Sequence, residues 1–186
     1  MTYRKLNRIN DKIIEQTQLL GGKKGLAQIS TKEIATACRI SEYTIFQHFK
    51  TKKNLLYETA LSFDRKAVEK VLFLLNNGSS NEAIWDNILD YFIKQKNGTL
   101  YYAQYIAAIG LDASIDNPRS SEFLPVGRKV LRNSENYSDQ QIIFMWDYLL
   151  LALLYYAGKI IRNHMPNSEE YRSYIRSVVF KGVYLN

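Results

Sequence analysis

Tyr43, Thr44, Gln47 and His48 share one side of a short predicted helix, at about 100° per residue, and each carries a hydrogen-bonding side chain. Ile45, Phe46 and Phe49 form the apolar back of the same helix. A Gln amide can pair bidentately with adenine, and a Thr methyl can meet a thymine methyl. The chemistry suited to this face is the reading of base edges, with no bond made or broken. Ser30, Thr31, Arg39, Ser41, Glu42, Lys50 and Lys52 lie around it, with Thr51 and Lys53 alongside. Hydroxyls, cationic groups and helix N-termini are common phosphate partners, and they position a protein without reading sequence. A plain amphipathic helix with its polar face in water would show the same pattern.

Two features of the surrounding chain favour nucleic acid over water. Residues 1–56 carry 11 Lys/Arg against 4 Asp/Glu, whereas residues 57–186 carry 14 of each. The whole formal charge of +7 therefore resides in the first third, which suits a polyanionic partner. The reading helix is also the second of two short helices joined by a tight turn, the layout of a helix-turn-helix.

Other chemistries find little support. The single cysteine, Cys38, excludes an intrachain disulfide framework and suits a reducing compartment. His48 and His164 lie far apart and form no cluster with zinc spacing, so no metal site or other cofactor is expected. No glycine-rich phosphate loop, serine nucleophile motif or Glu-x-x-His pair is present, and the chain does not read as an enzyme. The N-terminus lacks the apolar stretch of a signal peptide. No apolar run reaches the roughly 20 residues of a membrane span, so a cytoplasmic protein with no membrane partner is expected.

The elements that must position these residues read as helices throughout. Apolar spacing recurs at helical period, no stretch alternates, and prolines are few. Ile9, Ile13, Thr17 and Leu20 stripe a first helix, with Gly21-Gly22 as its expected stop. Ser30 and Glu33 form a capping box for a helix over 31–38, and Ser41 caps one over 42–49. A long fourth helix is expected over 52–76. Ser79 and Glu82 are expected to open a fifth, which Asn97-Gly98 breaks. Further helices are expected over 100–112, 122–132 and 138–164, with Ser138 and Gln141 as a capping box. Ser168 caps a last helix to about Leu185. Ser114 to Ser121 is the clearest loop. The expected fold is all-α, with about nine helices. A three-helix head over 1–51 binds DNA, and a larger helical body over 52–186 serves ligand binding and dimerisation.

Ile34-Ala35, Ile40-Ser41, Thr44 to Phe49, Lys52 and Leu55-Leu56 resemble the N-terminal domain of the tetracycline-repressor (TetR) family. The family's pattern is roughly I-A-x-x-A-G-V-S-x-G-T-L-Y-x-H-F-x-x-K-x-x-L, and its spacing is intact here. The resemblance implies a homodimeric transcriptional regulator, mostly a repressor released by a small ligand. Four positions depart from the pattern. Arg39 stands where the turn usually has Gly, and its guanidinium could reach a phosphate. Tyr43 replaces a frequent Gly, and Phe46 replaces a common Tyr. Gly21 replaces a common Phe, so Leu20 or Leu26 is expected to fill the head's core instead. Cys38 occupies a slot usually held by Ala, as a small core residue.

The body is rich in aromatics, and most of them should be core. A ligand chamber needs an apolar lining with a few polar groups. Trp85, Asp90, Phe92, Tyr101, Tyr105 and Trp146 are its candidates. Asp90 and Asp147 sit among apolar neighbours in the sequence, and a buried carboxylate needs a partner, most simply an internal one. From Ile142 to Ile161 the eighth helix is apolar nearly all round, so a second subunit is its natural cover. Leu150, Leu154, Ala157, Gly158 and Ile161, with Tyr171, Ile175, Val178 and Gly182 on the last helix, are the candidate interface. The reading is a ligand-released DNA-binding homodimer, probing a roughly palindromic double-stranded operator and taking a small effector of unknown identity. The alternative is a DNA-bound interaction or structural factor of the same fold with no small-molecule ligand.

Overall fold

The computed structural model describes residues 3–111, 123–131 and 133–183, with side chains from Arg8 to Lys181 within those ranges. The expected loop at Ser114 to Ser121 lies outside the described residues, as does Leu185. Among the described residues the chain is all-α. The helices are α1 (Tyr3–Lys24), α2 (Thr31–Cys38), α3 (Glu42–Phe49), α4 (Lys52–Asn76), α5 (Asn81–Lys94), α6 (Lys96–Leu111), α7 (Phe123–Val130), α8 (Asp139–Ile161) and α9 (Glu169–Val183). A short 3-10 turn at Ser134–Asn136 precedes α8.

The helices sort into two compact units. The first holds α1 to α3, α4 as far as Asp64, and α6; the second holds α4 from Arg65, α5, and α7 to α9. In the first, α1 packs against both α2 and α6, and α2 against α3. Ile13, Ile29, Ile34, Ala35, Cys38, Ile45, Phe49 and Leu55 are its buried centre around the head. In the second, α8 packs against α5, α7 and α9, and α5 also meets α9.

Local chemistry fixes the ends of the short helices. The Glu33 backbone N–H donates to the Ser30 hydroxyl at 3.1 Å, and the Ser30 N–H donates to the Glu33 carboxylate at 3.0 Å. This reciprocal cap satisfies two donors that a helix start leaves open. Lys12 reaches across from α1 and donates to the Cys38 carbonyl at 2.8 Å, covering an acceptor at the other end of α2. Ser41 accepts from the Thr44 N–H at 3.1 Å and starts α3.

Three expected boundaries are corrected. Gly21-Gly22 does not stop α1, which continues to Lys24. A Cβ at Gly22 would lie 2.3 Å from the Asn97 carbonyl oxygen, so the pair serves close approach of α6. The stop is Gly25, at φ +99, a conformation glycine holds without cost. Asn97-Gly98 likewise lies inside α6, because a Cβ at Gly98 would meet the Phe63 ring at 2.9 Å. The break between α5 and α6 falls at Gln95. The cap of α5 is Ser80, which accepts from the Ala83 N–H at 3.2 Å, in place of Ser79.

Candidate nucleic-acid interface

α3 presents two unlike faces. Ile45 and Phe49 are buried in the head's core, held there by α1 and α2 residues such as Ile13 and Ile34. Phe46, expected behind the helix with them, is instead exposed. It sits about 100° round from Ile45, at the edge of the buried stripe, and the core closes without it. On the outer face Tyr43 is 69% exposed, and Gln47 is exposed beside it. His48 is half-buried, its ring 6.4 Å from that of Phe49.

The remaining candidates divide by what already occupies their polar groups. Thr31 is buried, and its hydroxyl donates to the Glu42 carboxylate, which ties the start of α2 to the start of α3. Those two side chains satisfy each other. Ser30 serves the cap of α2, and the Ser41 and Thr44 hydroxyls meet at 2.8 Å. Glu33, paired with Lys24 at 2.7 Å, has its carboxyl held below the ordinary range by that contact and by the Ser30 N–H. Arg39 and Lys50 are exposed, and Lys52 is half-buried at the first position of α4.

Arg39 and Lys50 stand at opposite ends of α3, and both have positive φ. Arg39, the C-cap of α2, sits in the left-handed region at φ 57 and ψ 46. Lys50, the C-cap of α3, is at φ 64 and ψ −51. Its neighbours close an N–H to C=O bond from Thr51 to Phe49 at 2.7 Å, which makes Lys50 the centre of a γ-turn of the strained, positive-φ kind. That turn delivers Thr51, whose hydroxyl accepts from the Asn54 N–H at 3.0 Å at the start of α4.

Residues 13–59 match the profile of bacterial regulatory proteins of the tetR family. The chain belongs to the TetR family by this head. The matched segment covers the end of the first helix, the helix-turn-helix and the start of α4. No curated protein matches the sequence. Solved structures match in fold over nearly the whole chain. A TetR family transcription regulator from Marinobacter aquaeolei VT8 aligns with a TM-score of 0.70 at 13% identity, covering 98% of each chain. A candidate tetR family regulator from Shewanella sp. PV-4 gives 0.69 at 16% identity, covering 94% of this chain and 97% of its own. RolR, solved with its ligand resorcinol, gives 0.56 at 13% identity, covering 98% of this chain and 91% of its own. At such identities the likeness is one of fold.

The TetR-family head carries one replacement that sequence reasoning filled wrongly. Space beside Gly21 is taken chiefly by Tyr101 of α6, where Leu20 or Leu26 was expected. A Cβ at Gly21 would lie 2.6 Å from the Tyr101 ring, and the Leu26 side chain is the lesser neighbour at 3.3 Å. Tyr101 is fully buried, stacks on Tyr105 with centroids 6.5 Å apart, and donates its hydroxyl proton to the Leu56 carbonyl at 2.7 Å. Burial drives its phenol pKa well up. The only advance signal was the missing aromatic at position 21.

The candidate ligand residues do not form one group. Tyr101 and Tyr105 belong to the first unit, and Trp85, Asp90, Phe92 and Trp146 to the second. Trp85 and Phe92 are buried; the Trp85 ring meets Phe180 edge-on at 5.8 Å, and Trp146 lies 6.3 Å from Phe123. Asp90 is exposed and paired with Arg172 at 2.5 Å. One turn earlier, Asp86 takes Arg176, which also holds Glu169 at 2.7 Å. Burial holds the Asp86 carboxyl above its ordinary range despite the two arginines. A cleft of about 490 Å³ lies between α5 and α9, lined by Asn81, Arg176 and Phe180 among others, and by none of the six candidates.

The candidate interface residues also redistribute. Leu150, Leu154, Ala157, Gly158 and Ile175 are buried within the chain, and Ile161 is half-buried. Gly182 lies on α9, its surroundings outside the described residues. Tyr171 and Val178 are exposed. The exposed apolar face of α8 is a different stripe: Phe144 (72% exposed), Tyr148, Leu151 (52%) and Tyr155. These four fall within about 60° of arc at 3.6 residues per turn. Tyr171, Tyr174 and Val178 continue the exposed apolar surface on α9, which touches α8. α8 is long and apolar enough to cross a membrane by length and hydropathy, a measure that buried core helices also pass. Its other side is packed on α5 and α7.

Proposed function

We propose that the chain is a homodimeric, DNA-binding transcriptional repressor, released from a roughly palindromic operator by a small ligand. DNA contact falls to residues 1–51, and ligand binding and dimerisation to residues 52–186. The observation that carries the reading is the α3 face. Tyr43 and Gln47 project from a helix whose opposite side is anchored in the core, inside the only basic part of the chain. Major-groove reading needs such a helix, with side chains left open to base edges.

Two copies would set two reading helices at a fixed spacing, which is why a palindromic site is expected. The exposed stripe of α8 with its continuation on α9 supports the pairing, since water is a poor neighbour for Phe144 and Leu151. Ligand release would run through α4, which starts beside the reading helix and continues into the second unit. The coupling must be reciprocal, so DNA weakens ligand binding by the same factor. That RolR was solved with resorcinol supports an aromatic effector.

The ligand-free alternative has one observation in its favour. Tyr101 is hydrogen-bonded, Trp85 and Trp146 each meet another ring, and Asp90 is paired. Thermal-shift screening with small phenolic and cationic compounds separates the two, since a ligand bound by the folded state raises its melting temperature. The DNA reading is tested by fluorescence anisotropy on the chain's own upstream region across a salt series. Binding without salt dependence that survives Tyr43→Ala with Gln47→Ala would sink it.

A further inference from the structure

Among the described residues four non-glycine positions have positive φ: Arg39, Lys50, Asn133 and Asn163. Asparagine is the side chain that tolerates this region, because its short amide can bond locally. The two asparagines therefore need no further account. The two residues that do not suit the conformation are both cations, and they are the residues that close off the two ends of α3. Both are exposed. Glycine would hold either backbone without strain.

We infer that Arg39 and Lys50 form a two-point clamp on the DNA backbone, bracketing the reading helix, and that the chain carries backbone strain at both ends of α3 to keep these charges there. The inference rests on the DNA-binding reading and deepens it. The clamp holds two phosphates and supplies affinity without sequence preference, since phosphate contacts position a protein and base contacts specify. It also accounts for Arg39, the residue that most departs from the glycine of the family's turn. At the other end, the γ-turn centred on Lys50 aims that ammonium out from the junction of α3 and α4.

The test compares glycine and glutamine at each position in the full chain. Arg39→Gly and Lys50→Gly remove charge and strain together; Arg39→Gln and Lys50→Gln remove charge alone. Both glycine variants should unfold at higher denaturant than wild type, and both glutamine variants near the wild-type midpoint. All four should bind operator and unrelated duplex more weakly by a similar factor. The slope of log affinity against log salt should shrink by about one per substitution and about two in the double variant. Glycine variants that gain stability while affinity and salt slope stay at wild-type values would overturn the inference. So would glycine variants less stable than wild type, because the strain would then be absent. A wild-type chain with no salt-dependent DNA binding at all would instead overturn the functional reading beneath it.

Discussion

A Cβ at position 21 would stand 2.6 Å from Cδ2 of Tyr101, a separation that carbon atoms do not hold. Gly21 and Tyr101 are therefore complementary: one helix gives up a side chain and the other supplies a ring. Gln104, one turn further along α6, adds an N–H bond to the Gly21 carbonyl at 3.3 Å and accepts from the Leu26 N–H at 3.3 Å. α6 is thus fastened to the head by packing and by hydrogen bonds to its backbone.

Gly21→Ala should cost about 2 kcal/mol, as overpacking of a rigid contact does. The change would otherwise favour the helix, so a loss of stability isolates the clash. Urea unfolding followed by circular dichroism reads it. An alanine variant as stable as wild type would mean that the ring moves aside freely.

Tyr101→Phe keeps the ring and removes only the bond to the Leu56 carbonyl. A loss of about 1 kcal/mol is expected, the usual net worth of such a bond. Gly21→Ala and Tyr101→Phe should be non-additive, since they act on one contact. A double-mutant cycle in urea measures the coupling, and strict additivity would count against a shared contact.

The Glu33 carboxyl is held low by Lys24 and by the Ser30 N–H. A depressed carboxyl contributes stability above its unfolded pKa and loses it as pH falls through the folded one. Wild type should therefore melt above Glu33→Gln at neutral pH, and the two should converge below about pH 4, where glutamates protonate. Melting curves across pH 3 to 7 (about the range in which carboxylates titrate) follow the gap. A gap that persisted in acid would assign the effect to something other than the charge.

Leu151→Arg places a charge in the middle of the exposed α8 stripe, away from the core. Wild type should elute as a dimer by light scattering, and the variant as a folded monomer with weakened operator binding. Leu150→Ala, at a buried position, should lower stability and leave association intact. The reverse pattern would move the interface to the face first read from sequence.

The head was readable because its signals are local. Ser30 with Glu33, and Ser41 with Thr44, are caps written within four residues, and they give the bounds of α2 and α3. α4 was readable from its uninterrupted stripe and the Asn76-Asn77-Gly78 stop. Gly21-Gly22 was misread because a glycine pair means a stop or a close approach, and only the distant Tyr101 and Asn97 decide which. The outer face of α8 was misassigned for a related reason. A helix apolar on all sides has no periodicity from which to tell inside from outside. Its buried side follows from where α5 and α7 lie, which no local spacing encodes. At the reading face the sequence named Thr31 and Glu42 but could not show that each occupies the other.

Cys38 is the chain's only thiol, 1% exposed at the end of α2, and burial pushes its pKa up. Its sulfhydryl points to the Lys12 carbonyl, while Lys12 covers the carbonyl of Cys38 itself. A thiol reagent can reach that sulfur only when α1 and α2 part. The rate of alkylation is therefore a clock for opening of the head alone, running in unlabelled native protein, and operator DNA should slow it.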